Sequence, residues 1–534
     1  MQGSGTQSGG WSVQDILSRS RAAHAARAQV QPYIDRALEY AMPWRKPQQK
    51  GREAFDRLFD SSGPTGVHRF ASRLQADFSP SFSRWFELEC GPLVPLDEAE
   101  EVNRQLEAVT KICHAALDAS AFPKASHECY TDLAVGTGAL LGVPGTDGEL
   151  IRWTAVPPTD LGIEEGPSGR VDNVYWERDY PADQLERLWP GARGWPEGVQ
   201  RLINANATDK VRVLQASYYD ARVRRWRFEV LCLQGSDGPG DSRGAAVRVY
   251  SSLNRTNPWI IPRWWTTPGN PWGLGPLMLV LPDIMTANKA VEMMLRAAAY
   301  QLAPPLMVSH DGVVNPDALR IHPHALIKVT RTGGQLGAPI EPLDMGGNVN
   351  LTDLALRDMK ANIAQNLMAR QLPPESAAVR SPTEIVERLR EFAFDTGSAF
   401  GRLNHEFAPA VVARVLDLLD AAKVPLIDFD MLNIDHLVMK VKVTSPLARG
   451  QRLEDVESAA RFVELIQAIG GGELKMALCN LEEMHRLGPL MGAPAWTVRP
   501  ADQRRQIMQA MGEAAAEAQA PAEAPMEAPM EAMP

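Results

Sequence analysis

The chain has 534 residues, 45% of them hydrophobic, which is enough to bury a large core spread over several domains or subdomains. Its formal charge of -10 and pI near 5.6 argue against a protein that coats DNA with positive charge. The five cysteines, Cys90, Cys113, Cys129, Cys232 and Cys479, form no CxxC pair and no regular framework, which suits free thiols in a reducing compartment. Met1 to Gly10 is Gly/Ser/Gln-rich without an apolar centre, so it is read as a disordered leader and not as a secretory signal. The most apolar run, Leu274 to Met285, is too short to span a bilayer and is interrupted by Pro276, Pro282 and Asp283, so a soluble protein with no membrane partner is expected.

Trp11 to Met42 has helical patterning that Pro43 ends. A helix over Gly63 to Phe78 leads into an aromatic turn and a short strand, Trp85 to Glu89, with Phe82, Trp85 and Phe86 as core anchors. Asp97 to Ala119 places Val102, Leu106, Val109, Ile112, Cys113 and Leu117 on one helix face. A helix near Ser126 to Val135 gives way to Gly136-Thr137-Gly138-Ala139-Leu140-Leu141. Leu141 stands where a dinucleotide loop needs its third glycine, so this is read as a tight helix-to-strand junction. From Leu150 to Pro262 the pattern is one of strands, at Ile151 to Val156, Val174 to Arg178, Val211 to Tyr219 and Arg225 to Cys232, with a turn at Asp220-Ala221. They predict a mostly antiparallel β subdomain in which Trp226, Phe228, Val230 and Cys232 alternate with Arg225, Arg227 and Glu229, the arginines being read as the solvated face of a sheet in preference to a nucleic-acid patch.

Three long helices follow. Ile284, Ala287, Val291, Met294 and Ala298 mark one from about Pro282 to Ala303, some 33 Å long, with Lys289, Glu292 and Arg296 on another face. The second starts near Asn350, a good N-cap, and carries Leu356, Met359, Ile363 and Leu367 to about Ala369, so the two could pack side by side. The insert between them, Pro304 to Gly347, reads as a small α/β module with strands at Leu306 to Ser309 and Ile327 to Thr330. The third opens on the capping box Ser381-Pro382-Thr383-Glu384 and holds a helical period to about Leu419, with Gly397, Gly401 and Pro409 predicting bends. Leu437 to Thr444 alternates as a strand returning to the β subdomain. Helices at Arg452 to Ile469, Glu473 to Arg486 and Ala501 to Gln519 precede a Pro-Met-Glu-Ala tail, Ala520 to Pro534, with little to bury. The fold class is α+β, mainly α.

No GxSxG elbow, Walker A loop, HExxH helix or kinase signature occurs, so nothing requires catalysis and no cofactor is implied. His322 and His324 bracket Pro323 but have no Cys or acidic partner nearby, and no metal site is expected. His127-Glu128 and His405-Glu406 read as surface or interface pairs, and Glu100-Glu101 and Glu482-Glu483 as solvated faces. The loop Arg370 to Arg380 is different: prolines limit its freedom, small residues slim its tip, and an arginine stands at each foot. It suits contact with a polyanion and suits equally a solvated connector.

Several stretches, in this order, resemble the portal protein of tailed bacteriophages, most closely the head-to-tail connector of short-tailed, T7-like phages. They are Gly66-Val67-His68-Arg69-Phe70-Ala71-Ser72-Arg73-Leu74 with Ser83-Arg84-Trp85-Phe86, then Gly136 to Leu141, then Pro271-Trp272-Gly273-Leu274-Gly275-Pro276. Thr383-Glu384-Ile385-Val386-Glu387-Arg388 and Thr444-Ser445-Pro446-Leu447-Ala448-Arg449 continue the series. Each is short; the specific signal is their shared order. The resemblance implies a ring, typically a dodecamer, at one capsid vertex, through which double-stranded DNA enters and leaves without sequence-specific contact. Its partners would be terminase, tail adaptor proteins, and capsid and scaffolding proteins. In the family's terms residues 1–10 would be a disordered leader, 11–272 the wing, 273–303 the first stem helix, 304–347 the clip and 348–369 the second stem helix. Residues 370–380 would be the channel loop, 381–448 the long kinked wing helix and returning strand, 449–519 the helical crown and 520–534 a flexible tail. Arg370, Gln371 and Arg380 would then face DNA, and Lys328 and Arg331 would be clip contacts unless they serve only solubility. Two departures from the pattern are Pro282, which interrupts the expected first stem helix, and the tail repeats, which predict fraying where a helical barrel is expected. The rival readings are a structural adaptor elsewhere in a virion and an enzyme whose site is assembled from distant residues.

Overall fold

The computed structural model describes residues 10–45, 57–81, 83–91, 93, 96–146, 148–233, 246–302, 306–308, 340–342, 349–368, 400–424 and 439–444, with a few helical positions at 461–462, 464–465, 468 and 507. The chain divides into two compact units: Met1–Ile385 with Phe394–Ser445, and Val386–Ala393 with Pro446–Pro534. Those few helical positions are the described part of the second unit, and all that follows concerns the first. Among the described residues no helix is long and apolar enough to cross a membrane.

Helix α1 (Val13–Arg27) starts on a capping box: Ser12 Oγ accepts from the Asp15 amide while the Asp15 carboxylate accepts from the Ser12 amide. The helical stretch expected as far as Met42 is two helices, because α2 (Gln31–Ala41) restarts with Pro32 in its first turn, where no amide is needed. Helix α3 (Ser62–Phe78) is followed by β1 (Phe86–Cys90), α4 (Leu96–Asp118) and α5 (Phe122–Leu133). Phe78, Trp85, Phe122, Tyr130, Phe400 and Phe407 pack ring against ring where these elements meet. Trp85 and Phe86 are thus core anchors as read; Phe82 lies outside the described residues.

Strands β2 (Leu140–Pro144) and β3 (Ile151–Ala155) pair next to each other. The larger sheet has five antiparallel strands in sequence order: β4 (Leu161–Glu165), β5 (Val171–Pro181), β6 (Lys210–Asp220), β7 (Arg225–Cys232) and β8 (Val247–Asn254). One face packs on an aromatic core with Trp176, Tyr180 and Phe228, closed by α6 (Leu185–Leu188) and α7 (Glu197–Asn204). The other face is covered by α1, whose Ile16 and Ala23 lie against Tyr175, Leu214, Tyr218 and Leu231. This second cover overturns the solvated face expected for β7. Arg227 and Glu229 are buried, Arg227 paired with Asp220 at 2.6 Å and Glu229 with Arg248 at 3.0 Å, whereas Trp226 is only half-buried.

Short strands β9 (Trp259–Ile260), β10 (Trp265–Thr266) and β11 (Gly273–Leu274) lead into α8 (Pro276–Leu302), which begins six residues before the expected start and holds Pro282 inside it. Beyond α8, β12 (Leu306–Val308) pairs antiparallel with β13 (Ile340–Pro342), and α9 (Val349–Asn366) returns along α8. Asp283 near the start of α8 accepts from Asn362 near the end of α9, at 2.6 Å, so the two helices run antiparallel.

Residues 400–406 are helical and the helix is interrupted at Phe407 before α10 (Ala408–Ala421). Pro409 in the first turn of α10 has no amide for a carbonyl in the preceding turn, which is the bend expected there. Strand β14 (Met439–Val443) corrects another expectation: it pairs with β1 and not with the β subdomain. Phe86, Leu88 and Cys90 lie opposite Val443, Val441 and Met439, while Glu87 and Glu89 lie opposite Lys442 and Lys440, so apolar and charge patterns both match in this register.

Candidate functional site at the base of the helix pair

Three backbone segments cross where α8 leaves the β body: 134–138 after α5, 262–264 after β9, and 273–277. The Gly138 amide donates to Pro262 O, the Trp264 amide to Gly136 O, and the Gly275 and Leu277 amides to Val135 O and Ala134 O. The crossing is possible because glycines stand where the backbones touch, at Gly136, Gly273 and Gly275. Gly136 has φ 138°, and a Cβ there would lie 2.3 Å from Gly273 O; a Cβ on Gly275 would lie 2.0 Å from Ala134 O. Thr137 adds a side-chain bond, accepting the Gly273 amide at 2.8 Å. The two glycine-rich stretches that carried the resemblance are therefore halves of one structural joint.

Arg263 braces this joint. Its guanidinium is 1% exposed and pairs with Glu406 at 2.9 Å and Glu165 at 3.4 Å, and it donates to Gly169 O and Pro271 O. The Glu406 side chain is only 8% exposed, so of the two readings of the His405-Glu406 pair it takes the interface one, while the exposed His405 contacts Arg170 at 2.9 Å. His127, by contrast, contacts Ser72 at 3.3 Å at the surface, as expected. One turn into α10, Arg414 is likewise buried, donating to Gly142 O at 2.8 Å and pairing with Asp417 at 2.9 Å. Burial lowers its pKa to about 10 against the opposing pull of Asp417, and the guanidinium stays charged at neutral pH. Arg263 stands alone in the apolar run Trp259 to Trp265, and Arg414 shares the apolar run Val411 to Leu419 with Asp417, its partner three residues on; these charges in apolar runs are the signal from which both arginines can be found.

The helix pair is held from its other side by the turn before α3. Asn288 on α8 accepts both the Phe59 and Asp60 amides, at 2.7 and 3.0 Å, and donates to Arg57 O. Lys360 on α9 pairs with the buried Asp60 at 2.6 Å. Gly63 and Gly66 in α3 let Ile284 and Leu367 approach closely. Towards its far end α8 leaves this cover, and residues 295–299 are exposed, with Glu292 held between Lys289 and Arg296 as the spacing predicts. Leu279 and Met293 are each 61% exposed, Leu295 56% and Leu354 on α9 62%. Met293 lies about four turns beyond Leu279 on the same side of α8, and Leu295, two residues on, is about 200° round the helix, so apolar surface is open on opposite sides.

The residues singled out from the sequence as DNA-channel or clip contacts, Arg370, Gln371, Arg380, Lys328 and Arg331, lie outside the described residues, as do His322, His324 and the capping box at Ser381. Among the described residues no group of three His, Cys, Asp or Glu could hold a metal. Cys113 and Cys129 are buried and free, and burial pushes the Cys113 thiol up to about 12.

The described residues thus form a braced β body that carries an antiparallel helix pair with apolar residues open on two sides. The chain belongs to the bacteriophage head to tail connecting protein family, which it matches over residues 13–496, and it is a head-to-tail connector. The family is structural and not enzymatic. A probable portal protein of Bordetella phage BPP-1 is 24% identical over 444 residues, covering 79% of this chain and 76% of its own length. Solved structures align along most of the chain at low score: a chain in the virion of a native gene transfer agent particle (12% identity, 84% of this chain and 94% of that one, TM-score 0.37) and one in the neck of a native particle with C12 symmetry (12% identity, 83% and 93%, TM-score 0.31).

Proposed function

We propose that the chain is a portal subunit, twelve copies of which form a ring at the head-to-tail junction of the virion after assembly in the host cytoplasm. The observation that carries this reading is the apolar surface on opposite sides of α8. A two-fold dimer covers the same patch on both partners, whereas a head-to-tail contact uses two different patches on each subunit, and it makes a ring when the rotation between neighbours closes and a filament when it does not. Family membership supports the rest. Residues 11–272 form the wing, α8 and α9 the stem, 304–347 the clip that docks terminase and later tail adaptor proteins, and 449–519 the crown. Lys328 and Arg331 are polar contacts of the clip. Capsid and scaffolding proteins meet the outer rim. Double-stranded DNA passes through the ring, and the loop of residues 370–380 encircles it with Arg370, Gln371 and Arg380. Such a wall makes weak, salt-sensitive contacts multiplied by symmetry, and a conduit of this kind needs no catalytic set.

Mass measurement and electron microscopy of the purified protein test the ring: closed oligomers with a central hole are expected, and a monomer at all concentrations overturns it. Leu279→Lys/Met293→Lys should leave the subunit folded and block ring formation. Arg370→Ala/Arg380→Ala should leave rings intact and reduce the DNA retained per particle. Normal retention would remove both arginines from the channel.

A further inference from the structure

An open cleft of about 660 Å³ lies between the sheet and α10. That volume suits a short peptide or a small molecule. Its floor is Trp259, Ile260, Ile261 and Leu416, all buried. Helix α10 turns Ala410, Ala413, Asp417 and Asp420 towards it, so small side chains keep one end open and carboxylates line the other. Those carboxylates are already engaged: Asp417 by Arg414 at 2.9 Å and by Thr256 at 2.7 Å, and Asp420 by Arg255 at 3.1 Å.

The facing wall is different. The hairpin between β6 and β7 supplies Arg224, Arg225 and Trp226, the indole backed edge-on by Tyr219 at 5.4 Å. Arg224 and Arg225 are exposed and make no ion pair among the described residues. Arg224 also has φ 52°, in the left-handed region where Gly or Asn fits more easily, so the hairpin carries a conformational cost with an arginine at that position. The cleft thus joins an apolar floor, an aromatic edge and two uncommitted guanidiniums.

We propose that this cleft docks an acidic segment of a partner protein. Its carboxylates would pair with Arg224 and Arg225, and its small apolar residues would lie on Ala410 and Ala413 beside Trp226. Duplex DNA fits less well, since a continuous phosphate backbone would have to pass Asp172, Asp417 and Asp420 in the same cleft. A peptide can keep its charge at the arginine end.

The test uses the full chain and a short fluorescein-labelled peptide of glutamate, alanine and leucine, followed by anisotropy. Saturable binding is expected, weakened by about tenfold or more in Arg224→Glu/Arg225→Glu and by raising salt to about 0.5 M. Ala413→Trp, which fills the open end of the cleft and leaves both arginines in place, should also abolish it; the arginine pair is exposed, so its variant keeps the parent's melting curve. The same peptide with lysine for glutamate should not bind. Absence of saturable binding overturns the proposal. So does a DNA duplex that binds as tightly with the same dependence on both arginines, which would make the cleft a general anion patch. A change of oligomer mass in Arg224→Glu/Arg225→Glu would assign the cleft to a second copy of this chain and overturn it equally.

Discussion

Replacing Arg263 by methionine keeps much of the side chain's bulk but leaves the Glu406 carboxylate, its side chain 8% exposed, with Arg402 at 3.5 Å as its one remaining ionic partner among the described residues. Gly169 O and Pro271 O lose a donor in the same step. Breaking a buried pair from one side costs about 3–5 kcal/mol, because the stranded charge has no water to return to. Glu406→Gln should cost less, about 1.5–3 kcal/mol, since Arg263 keeps Glu165 at 3.4 Å. The double variant Arg263→Met/Glu406→Leu removes both charges, so its loss should fall short of the sum of the single losses by about 2 kcal/mol. Urea melts followed by tryptophan fluorescence read these differences, with Trp264 and Trp272 beside the joint. A single Arg263→Met loss below about 1 kcal/mol, or simple additivity in the double variant, would refute the claim that this pair braces the body.

Two further expectations come from the same region. Burial raises the Asp60 carboxyl, but bonds from Lys360 and Ser62 outweigh it and hold the group below its usual value, so its contribution is present above about pH 4 and is lost as pH falls further. Protection factors of α9 amides, corrected for the intrinsic exchange rate at each pH, should therefore fall on acidification in the parent and much less in Asp60→Asn; identical pH profiles would exclude this anchor. Gly275→Ala should cost about 4 kcal/mol or more, because its Cβ meets Ala134 O, while Gly198→Ala in α7, with open space around it, should gain about 0.5–1 kcal/mol. Comparable melting temperatures for the two would show that the crossing is not as tight as drawn.

Much of the fold was legible because its signals were local. The apolar period of Gly63 to Phe78 and of Asp97 to Ala119 falls within a residue or so of α3 and α4, and Val211 to Tyr219 within one residue of each end of β6. What failed required knowing what lies across from an element. Alternation in β7 gave the inward set but could not reveal that α1 closes the opposite face, which buries Arg227 and Glu229. The alternation near Met439 identifies a strand but not its sheet; its partner is β1, where Glu87 and Glu89 supply the charge pattern its lysines need. Pro282 was read as an interruption, yet α8 carries it in its second turn. The glycines of the crossing were noticed for their family likeness, and their geometry emerges only when the two stretches are brought together.

The glycine crossing gives α8 a pivot. The helix is about 40 Å long, so a turn of about 5° at its root displaces its tip by about 3.5 Å. The root resists sliding, since backbone is hydrogen-bonded directly to backbone there and meets it at glycines. Motion at the far end is therefore levered from a fixed fulcrum, and it is resisted by Asn288, which ties α8 to the turn before α3 partway along, and by Lys360, which ties the neighbouring α9 to the same turn.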